Sequence, residues 1–347
     1  MFRTVTVLGT VLACVIASAP SSADARADEH APIGVMADHY HKAGEVMFSY
    51  RYMHMHMEGN RDGTSDRSPA EIAANEPSRF GPPLLRVVPT EMTMDMHMFG
   101  VMWAPSDRVT LMGMVNYIDK EMEHVTFMGM MGTNRLGTFT TKTSGLGDTR
   151  LSALVRISED DTSRWHAILG VSLPTGDLEE TDQILTPMNT RPSPRLPYPM
   201  QLGSGTYDLI AGLTYAQNGP RWGWGSQWES VFRIGENDED YTLGDTHMVQ
   251  GWLSYLVQEH LSLSARLSYK TRDNIDGQDP LIAAPVQTAD PDRQAFDRID
   301  LSVGTNVVVG HSGHRLALEV TTPLYQDFDG PQLETDWQIT VGWQLAI

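Results

Sequence analysis

The feature of this sequence that most constrains its fold is a two-residue alternation of apolar and polar side chains, repeated in many separate segments. In one segment Leu263 and Leu267 alternate with Ser262 and Arg266. Successive side chains of a β-strand point to opposite faces, so each such segment has one apolar face and one face that tolerates water. The repeated pattern predicts an all-β protein.

Twelve strands are predicted, and the connections between them are short and long by turns. The short links hold polar or turn-forming residues, as in Pro105–Asp107 and Gly310–Gly313. Outer-membrane barrels have tight turns at the inner rim and long loops at the outer rim, and an even strand count leaves both chain ends inside. The predicted strands cover about residues 45–57, 90–104, 108–118, 144–157, 164–173, 205–216, 222–235, 245–257, 260–271, 297–309, 314–322 and 335–347.

The sequence therefore predicts a transmembrane up-and-down antiparallel β-barrel of about 12 strands, forming a single domain over residues 45–347. A soluble β-sandwich or a lipocalin-like barrel is the alternative, because its strands alternate equally well. The strand count and length favour the membrane barrel. So does the last strand, which is similar to the terminal strand of outer-membrane barrels, although Ile347 replaces the usual final aromatic residue.

The amino-terminal residues predict export. Arg3 precedes an apolar run over residues 5–19, and small residues lead to a cleavage site after Ala27, so residues 1–27 form a predicted signal peptide. Residues 28–44 are then predicted to be a lead segment in the periplasm. We expect the mature chain in the outer membrane of a Gram-negative bacterium, with membrane lipid and the outer-membrane assembly machinery as partners.

Charge excludes one class of partner. The formal net charge is −19, whereas proteins that bind nucleic acid carry basic patches, so no nucleic acid is expected. The long loop over residues 174–204 contains six prolines, which oppose regular structure. This outer loop is predicted either to fold inward and constrict the pore or to lie over the rim.

Methionine is concentrated in one part of the chain. Of 20 methionines, only Met1, Met188, Met200 and Met248 lie outside residues 36–131. Strand periodicity puts ten of the others on one face of each of the first three strands, and the opposite face of each strand carries aromatic and aliphatic residues suited to lipid. The methionine face is therefore predicted to line the lumen. Its members are Met53, Met55 and Met57, then Met92, Met94, Met96, Met98 and Met102, and then Met112 and Met114.

These thioethers predict a channel for small solutes whose wall binds or passes a soft metal ion. Thioethers are ligands that suit Cu(I) or Ag(I), and weak sites let an ion move on. Nitrogen and oxygen ligands are predicted nearby, although no cofactor is required. They are His54, His56, His97 and Asp95 on the opposite face above the membrane, and His39 and His41 in the lead, beside Met36 and Asp38.

Two alternatives remain open at the level of sequence. Methionine is also a flexible lining residue, so the wall can serve the uptake of hydrophobic or aromatic compounds. The remaining alternative is an enzyme embedded in the barrel. The sequence contains neither a G-x-S-x-G elbow nor an H-E-x-x-H helix, so no enzymatic activity is predicted.

Four strings resemble those of a known family: Ser49–Met53, Leu173–Gly176, Tyr198–Asp208 and Gly330–Trp337. They are similar to strings in outer-membrane transporters related to the family named for the MetA-pathway of phenol degradation. The resemblance spans nearly all of the predicted mature chain. It implies an outer-membrane barrel that transports small, in part aromatic, compounds, and it implies no catalytic residues. The methionine and histidine content is not explained by that resemblance.

Overall fold

The computed structural model describes residues 26–309 and 313–347, so the predicted signal peptide, with Cys14, lies outside it apart from its last two residues. Among the described residues, no helix is long and apolar enough to cross a membrane. The one α-helix they contain is α1 (Pro69–Asn75). The strands are β1 (Val46–Gly63), β2 (Ser65–Arg67), β3 (Val87–Ser106), β4 (Val109–Phe127), β5 (Arg135–Leu146), β6 (Thr149–Glu159), β7 (Ser163–Leu173), β8 (Tyr207–Asn218), β9 (Trp222–Ile234), β10 (Tyr241–Thr242), β11 (Thr246–Gln258), β12 (Leu261–Arg272), β13 (Asp276–Gly277), β14 (Phe296–Val309) and β15 (His314–Ala346).

The main sheet is closed and antiparallel. Of its 13 strands, β2 and β5 lie beside the closed wall, and the other eleven form it, with β15 paired to β1. β15 makes two crossings, because residues 314–328 pair with β14 and residues 328–346 pair with β1. The wall therefore has twelve crossings in a single domain, and the predicted fold class is confirmed.

The two faces of the wall show which solvent each one meets. Leu263 and Leu267 are each 52% exposed, whereas Ser262 and Arg266 beside them are 0% and 6% exposed. A soluble barrel buries its apolar residues inside, so this arrangement excludes the soluble alternative. The apolar face points outward to lipid, and the polar face points into the lumen.

The outer ends of the strands extend further than predicted. The predicted boundaries leave residues 119–143 as a loop, but β4 continues to Phe127, and β5 begins at Arg135 and pairs with it. Both faces of this region are rich in threonine or charge, so the apolar alternation used for prediction is missing. β-branched threonine nevertheless favours strand backbone. The predicted loop 323–334 is likewise a tight reversal, with Gly330 at a φ of 89°.

The long loops pack together over the outer mouth. Their apolar side chains form one cluster, which contains Val87, Phe139, Leu185, Tyr198, Tyr241, Ile275, Ile282, Val286 and Ala289. The proline-rich loop folds inward, which is one of its two predicted arrangements. Its Leu196 and Met200 pack against Met92 and Met122 inside the mouth, and Lys120 Nζ donates to the Pro199 carbonyl at 2.8 Å.

The amino-terminal segment lies inside the barrel, which corrects the prediction of a periplasmic lead over residues 28–44. We call residues 26–45 the plug. Its backbone carbonyls and amides meet inward-facing side chains from strands all around the wall, as the following contacts show. Thr110 accepts from the His41 amide at 2.8 Å, Gln227 donates to the Met36 carbonyl at 2.8 Å, Ser262 donates to the Ala27 carbonyl at 2.9 Å, Asn306 donates to the His30 carbonyl at 3.4 Å, and Arg315 donates to the Ala31 carbonyl at 2.6 Å. These polar side chains satisfy a backbone that, apart from Gly44 and Glu45 beside Ala104, is not paired with a strand.

The plug is anchored at the inner end and seated tightly. Arg26 donates to the Gly219 carbonyl at 2.9 Å in a short inner turn. Ile33 fills the space above Gly342, where an added Cβ would lie 2.5 Å from the Ile33 side chain. A Cβ added at Gly34 would lie 2.2 Å from a carboxylate oxygen of Glu319, which is on the other crossing of β15. A side chain at residue 34 would therefore have to displace the buried side-chain ends of Glu319 and Arg266.

We predict that Gly34→Val releases the plug. The added side chain meets the buried Arg266–Glu319 ion pair, and overpacking of this kind costs about 1–3 kcal/mol. The expected result is a higher mean ion conductance of the refolded barrel in planar lipid bilayers. Gly251→Val is the matched control, because residue 251 lies on the outward face with backbone contact at an ordinary 3.6 Å. Equal conductance for Gly34→Val and the native chain would contradict this description of the plug.

Candidate functional site: the lumen

The predicted methionine residues lie together on the lumen face. Met53 is directly opposite Met96, Met55 is opposite Met94, and Met57 is opposite Met92 across the β1–β3 pair. Side chains directly opposite in an antiparallel pair have Cβ atoms about 4.5–5.5 Å apart. With Met98 they form what we call the methionine wall: Met53, Met55, Met57, Met92, Met94, Met96 and Met98. Met112 and Met114 lie nearer the inner end, where Met112 is opposite Met102.

The direction of the wall follows from the burial of its strands. On β3, Phe99, Val101 and Trp103 are exposed to the outside, whereas Met92 and Met102 on the other face are each 4% exposed. Arg51 on the methionine face of β1 is buried and donates to the Met36 thioether of the plug. The methionine wall therefore faces the lumen, as its sequence pattern predicts.

The predicted histidine ligands lie on the opposite side of the same strands. His54 Nδ1 is 2.8 Å from an Asp95 carboxylate oxygen, and the Tyr50 hydroxyl is 2.8 Å from His97 Nδ1. His56 lies 3.2 Å from a carboxylate oxygen of Glu91 on the same outward face. These polar pairs lie beyond the apolar belt, near the outer rim. The sheet separates them from the thioethers, so the two predicted sets do not form one joint site.

The plug contains a separate histidine cluster. His39 Nδ1 lies 2.9 Å from one carboxylate oxygen of Asp38, and His30 Nδ1 lies 4.0 Å from the other. One ligand atom from each of the three lies within 4.8 Å of the others, a donor set of the kind that binds transition metals. His30 is a member that the sequence pattern did not reveal, because it is eight residues from Asp38 in an irregular segment.

The surroundings of this cluster keep His30 and the neighbouring His41 neutral. Burial lowers the pKa of His41 to about 3 and holds that of His30 well below its usual range. Burial alone would raise the pKa of Asp38, but His39, His30 and Arg315 together hold it well below its usual range. Arg315 also contacts the plug backbone, at the Ala31 carbonyl. A cation bound here would therefore meet a fixed positive charge as well as the carboxylate.

Another part of the wall is basic. Arg233, Lys270, Arg272 and Arg298 lie on the inward faces of β9, β12 and β14, around the barrel from β1, β3 and β4. Over the whole inward face of the strands, basic side chains outnumber acidic ones. The basic residues are Arg51, Lys120, Arg150, Arg156, Arg164, Arg233, Arg266, Lys270, Arg272, Arg298 and Arg315, against Glu159, Asp208, Glu229, Asp300 and Glu319. The acidic excess of the chain therefore lies elsewhere, in its loops and outward faces.

A chamber remains between the plug and the outer loops. At the inner end, Met47 and Met102 are buried and pack with Ala37 of the plug. At the outer end, Met92 is buried beneath the proline-rich loop. Between them, one group of side chains keeps partial exposure and so borders a space that water can enter. The group contains Met53, Met55, Met94, Met96 and Met98 on β1 and β3, and Arg150, Glu229, Met248, Lys270, Arg272 and Arg298 around the rest of the wall.

Sequence reasoning found the methionine side of this chamber and missed the basic side. Methionines on neighbouring strands are close in sequence, so their convergence is visible in the pattern. Lys270 and Arg298 are 28 positions apart and come together only through register, where they lie directly opposite each other. The signal that could have found them is strand phase, because Arg266, Lys270 and Arg272 share the polar side of one segment.

Known proteins resemble this architecture. The crystal structure of an outer membrane channel from Pseudomonas putida F1 matches with a TM-score of 0.59 and 15% identity, covering 90% of this chain and 98% of that chain. At this identity the likeness concerns the fold. The Ralstonia pickettii toluene transporter TbuX matches with a TM-score of 0.46 and 10% identity, covering 88% and 90% of the two chains, too loosely to inform function.

No curated protein matches the chain at a significant level. A family model does match, over residues 91–291, which is more than half of the sequence and includes most of β3 and all of β4 to β13. Its description is "Putative MetA-pathway of phenol degradation". The matched region contains the β3 part of the methionine wall, and Lys270 with Arg272. The chain belongs to this family of outer-membrane barrels.

Proposed function

We propose that the protein is an outer-membrane channel through which small organic solutes with apolar or aromatic parts enter the cell along the methionine wall. The observation that carries the proposal is the partly exposed row of Met53, Met55, Met94 and Met96 inside a barrel whose other lumen residues are largely polar. Binding sites for small organic molecules are concave and apolar, with a few polar groups that fix orientation. The chamber has that composition.

Methionine suits a wall that must accept varied solutes. Its unbranched side chain has three rotatable bonds and a polarisable sulfur, so it adapts to different apolar shapes. The plug and the outer loops cover both ends of the chamber, so a solute passes by displacing them in turn. The family description refers to phenol degradation, and this supports an aromatic compound as the solute.

We predict that polar substitution of the wall slows entry of an apolar probe. Met94→Asn combined with Met96→Asn removes half-buried apolar surface, which costs on the order of 1.4 kcal/mol, or about tenfold in rate. The measurement is the rate of uptake of the fluorescent dye N-phenyl-1-naphthylamine by cells that carry the native or variant barrel in their outer membrane.

Two controls make this test specific. Met94→Leu with Met96→Leu keeps an apolar wall and is expected to retain native uptake. Met130→Asn with Met131→Asn changes the same residue types in an exposed outer loop, where both side chains lie outside the chamber. Unchanged uptake in the Met94→Asn, Met96→Asn barrel, with correct insertion shown by heat-dependent gel mobility, would refute the proposed path.

A soft metal ion is the second candidate solute, and one observation favours it. Three methionine pairs, Met53 with Met96, Met55 with Met94 and Met57 with Met92, stand directly opposite each other in successive rows. Paired thioethers at this spacing suit Cu(I) or Ag(I), and repeated weak sites along a wall allow an ion to move between them. The outward His54, His56, His97 and Asp95, and His39 and His41 of the plug, stay in this proposal as separate nitrogen and oxygen ligands.

We predict that, if this second function holds, Ag(I) binding depends on sulfur. The refolded barrel is titrated with Ag(I) in detergent under non-thiol reducing conditions, and compared with a barrel in which Met92, Met94, Met96 and Met98 are all replaced by Leu. Leucine keeps the bulk and apolarity but provides no soft ligand, so saturable binding is expected to disappear. Equal weak binding by both barrels would exclude the thioether site and leave the organic solute as cargo.

A further inference from the structure

The basic side of the chamber contains more positive charge than its own carboxylates neutralise. Arg233 pairs with Asp208, Arg150 pairs with Glu229 at 2.9 Å, and Arg298 pairs with Asp300 at 3.0 Å. Among the described residues, no carboxylate lies within ion-pair distance of Lys270 or Arg272, although Asp300 is near Lys270. Arg272 donates instead to the Gln294 carbonyl, at 2.6 and 3.0 Å.

Three of these cations gather around one aromatic ring. The distances to the centroid of Phe296 are 4.8 Å from the Arg272 guanidinium carbon, 5.8 Å from Lys270 Nζ and 5.8 Å from the Arg298 guanidinium carbon. A cation within about 6 Å of the centre of an aromatic ring is attracted to the ring electrostatically. Like charges this close nevertheless repel one another, and Asp300 is the one carboxylate that the described part of the chain pairs to the group. An anion placed beside Lys270 and Arg272 would relieve that repulsion.

The cations and the methionine wall lie at similar height in the barrel. On β12, the outward neighbour of Lys270 is Tyr269, and on β1 the outward neighbour of Met53 is Tyr52. Both tyrosines mark the outer edge of the apolar belt, where aromatic girdles meet the membrane interface. In the ring of twelve crossings β12 lies five crossings from β3, almost directly across the lumen from the β3 part of the methionine wall. A solute in the chamber therefore has thioethers on one side and uncompensated cations on the other.

We propose that the chamber binds small amphipathic organic anions, such as aryl carboxylates, and that Lys270, Arg272 and Arg298 hold the carboxylate while the methionine wall holds the apolar part. This inference rests on the proposed channel function and names its substrate class. Arg298 and Arg272 offer planar guanidinium groups that match a carboxylate, and Lys270 adds a mobile point charge. Partial burial in a protein-lined chamber strengthens these interactions relative to bulk water.

The proposal is tested by binding of two fluorinated probes of equal shape. The native barrel, refolded in uncharged detergent, is titrated with 4-fluorobenzoate and with neutral 4-fluorobenzamide, and the ¹⁹F spectrum is recorded against empty micelles. Benzoate is expected to bind about tenfold more tightly than benzamide, as charge-assisted pairing with a cation implies. Lys270→Gln combined with Arg272→Gln is expected to remove that difference and leave benzamide binding in place.

The control removes the same charge elsewhere. Arg135→Gln with Lys142→Gln changes two exposed residues of β5, so the preference for benzoate should persist. Equal binding of both probes to the native barrel, or an unchanged preference in the Lys270, Arg272 variant, would overturn the anion site and leave the channel proposal standing. Benzamide binding that survives Met94→Asn with Met96→Asn would instead count against the apolar wall of the proposed channel. Binding of neither probe overturns the anion site, and the dye-uptake measurement then decides the channel proposal on its own.

Discussion

The rest of this structure depends on closure of the sheet between β1 and β15. In the hydrocarbon layer no water can pair with backbone N–H and C=O groups, so a strand that spans it must have partners on both edges. The pairing of Met47 with Ala346 through to Gly63 with Phe328 provides that last edge. Once the ring is closed, the two-residue period leaves only two environments for side chains, lipid and lumen. Leu267 therefore faces lipid, whereas its neighbour Arg266 is buried on the lumen side.

The lumen that closure creates is filled from both ends by irregular chain. Irregular backbone at membrane depth is tolerated where protein or water satisfies it, and the plug meets this condition through Thr110, Gln227, Asn306 and Arg315 on the wall. The polar inner wall therefore has a structural role besides any contact with solutes. Between the plug and the outer loops the inward-facing side chains are less buried. In this part of the lumen the methionines and the cations Lys270 and Arg272 border the same space. The chamber is defined as much by where the plug ends as by the barrel itself.

The sequence predicts the barrel well because its strongest constraint, alternation, is local. The strands, the single domain and the inward direction of Met53 and Met96 all follow from residue phase. The location of residues 26–45 does not, because Gly342 and Glu319, which form their seat, are about three hundred positions away. A glycine or a glutamate in a strand is also compatible with many arrangements that involve no plug. The sequence does not predict the full extent of β4 and β5 for a different reason. Beyond the membrane both faces of a strand meet polar surroundings, so apolar and polar residues do not alternate there.

The distribution of charge separates the outside of the molecule from the lumen. The net charge of −19 lies on loops and outward faces, including Glu121 and Glu123 above the membrane belt, while the inward face is basic. An anion approaching the mouth meets repulsion that salt screens within about 8 Å at physiological ionic strength. Inside, Lys270 and Arg272 act over short range with less water between charges, so their attraction is screened less. A small anion is therefore disfavoured only weakly at the surface and favoured more strongly in the chamber. An apolar part that contacts the methionine wall adds to that preference, which makes an organic anion a better match to the two walls together than either chloride or a neutral hydrocarbon.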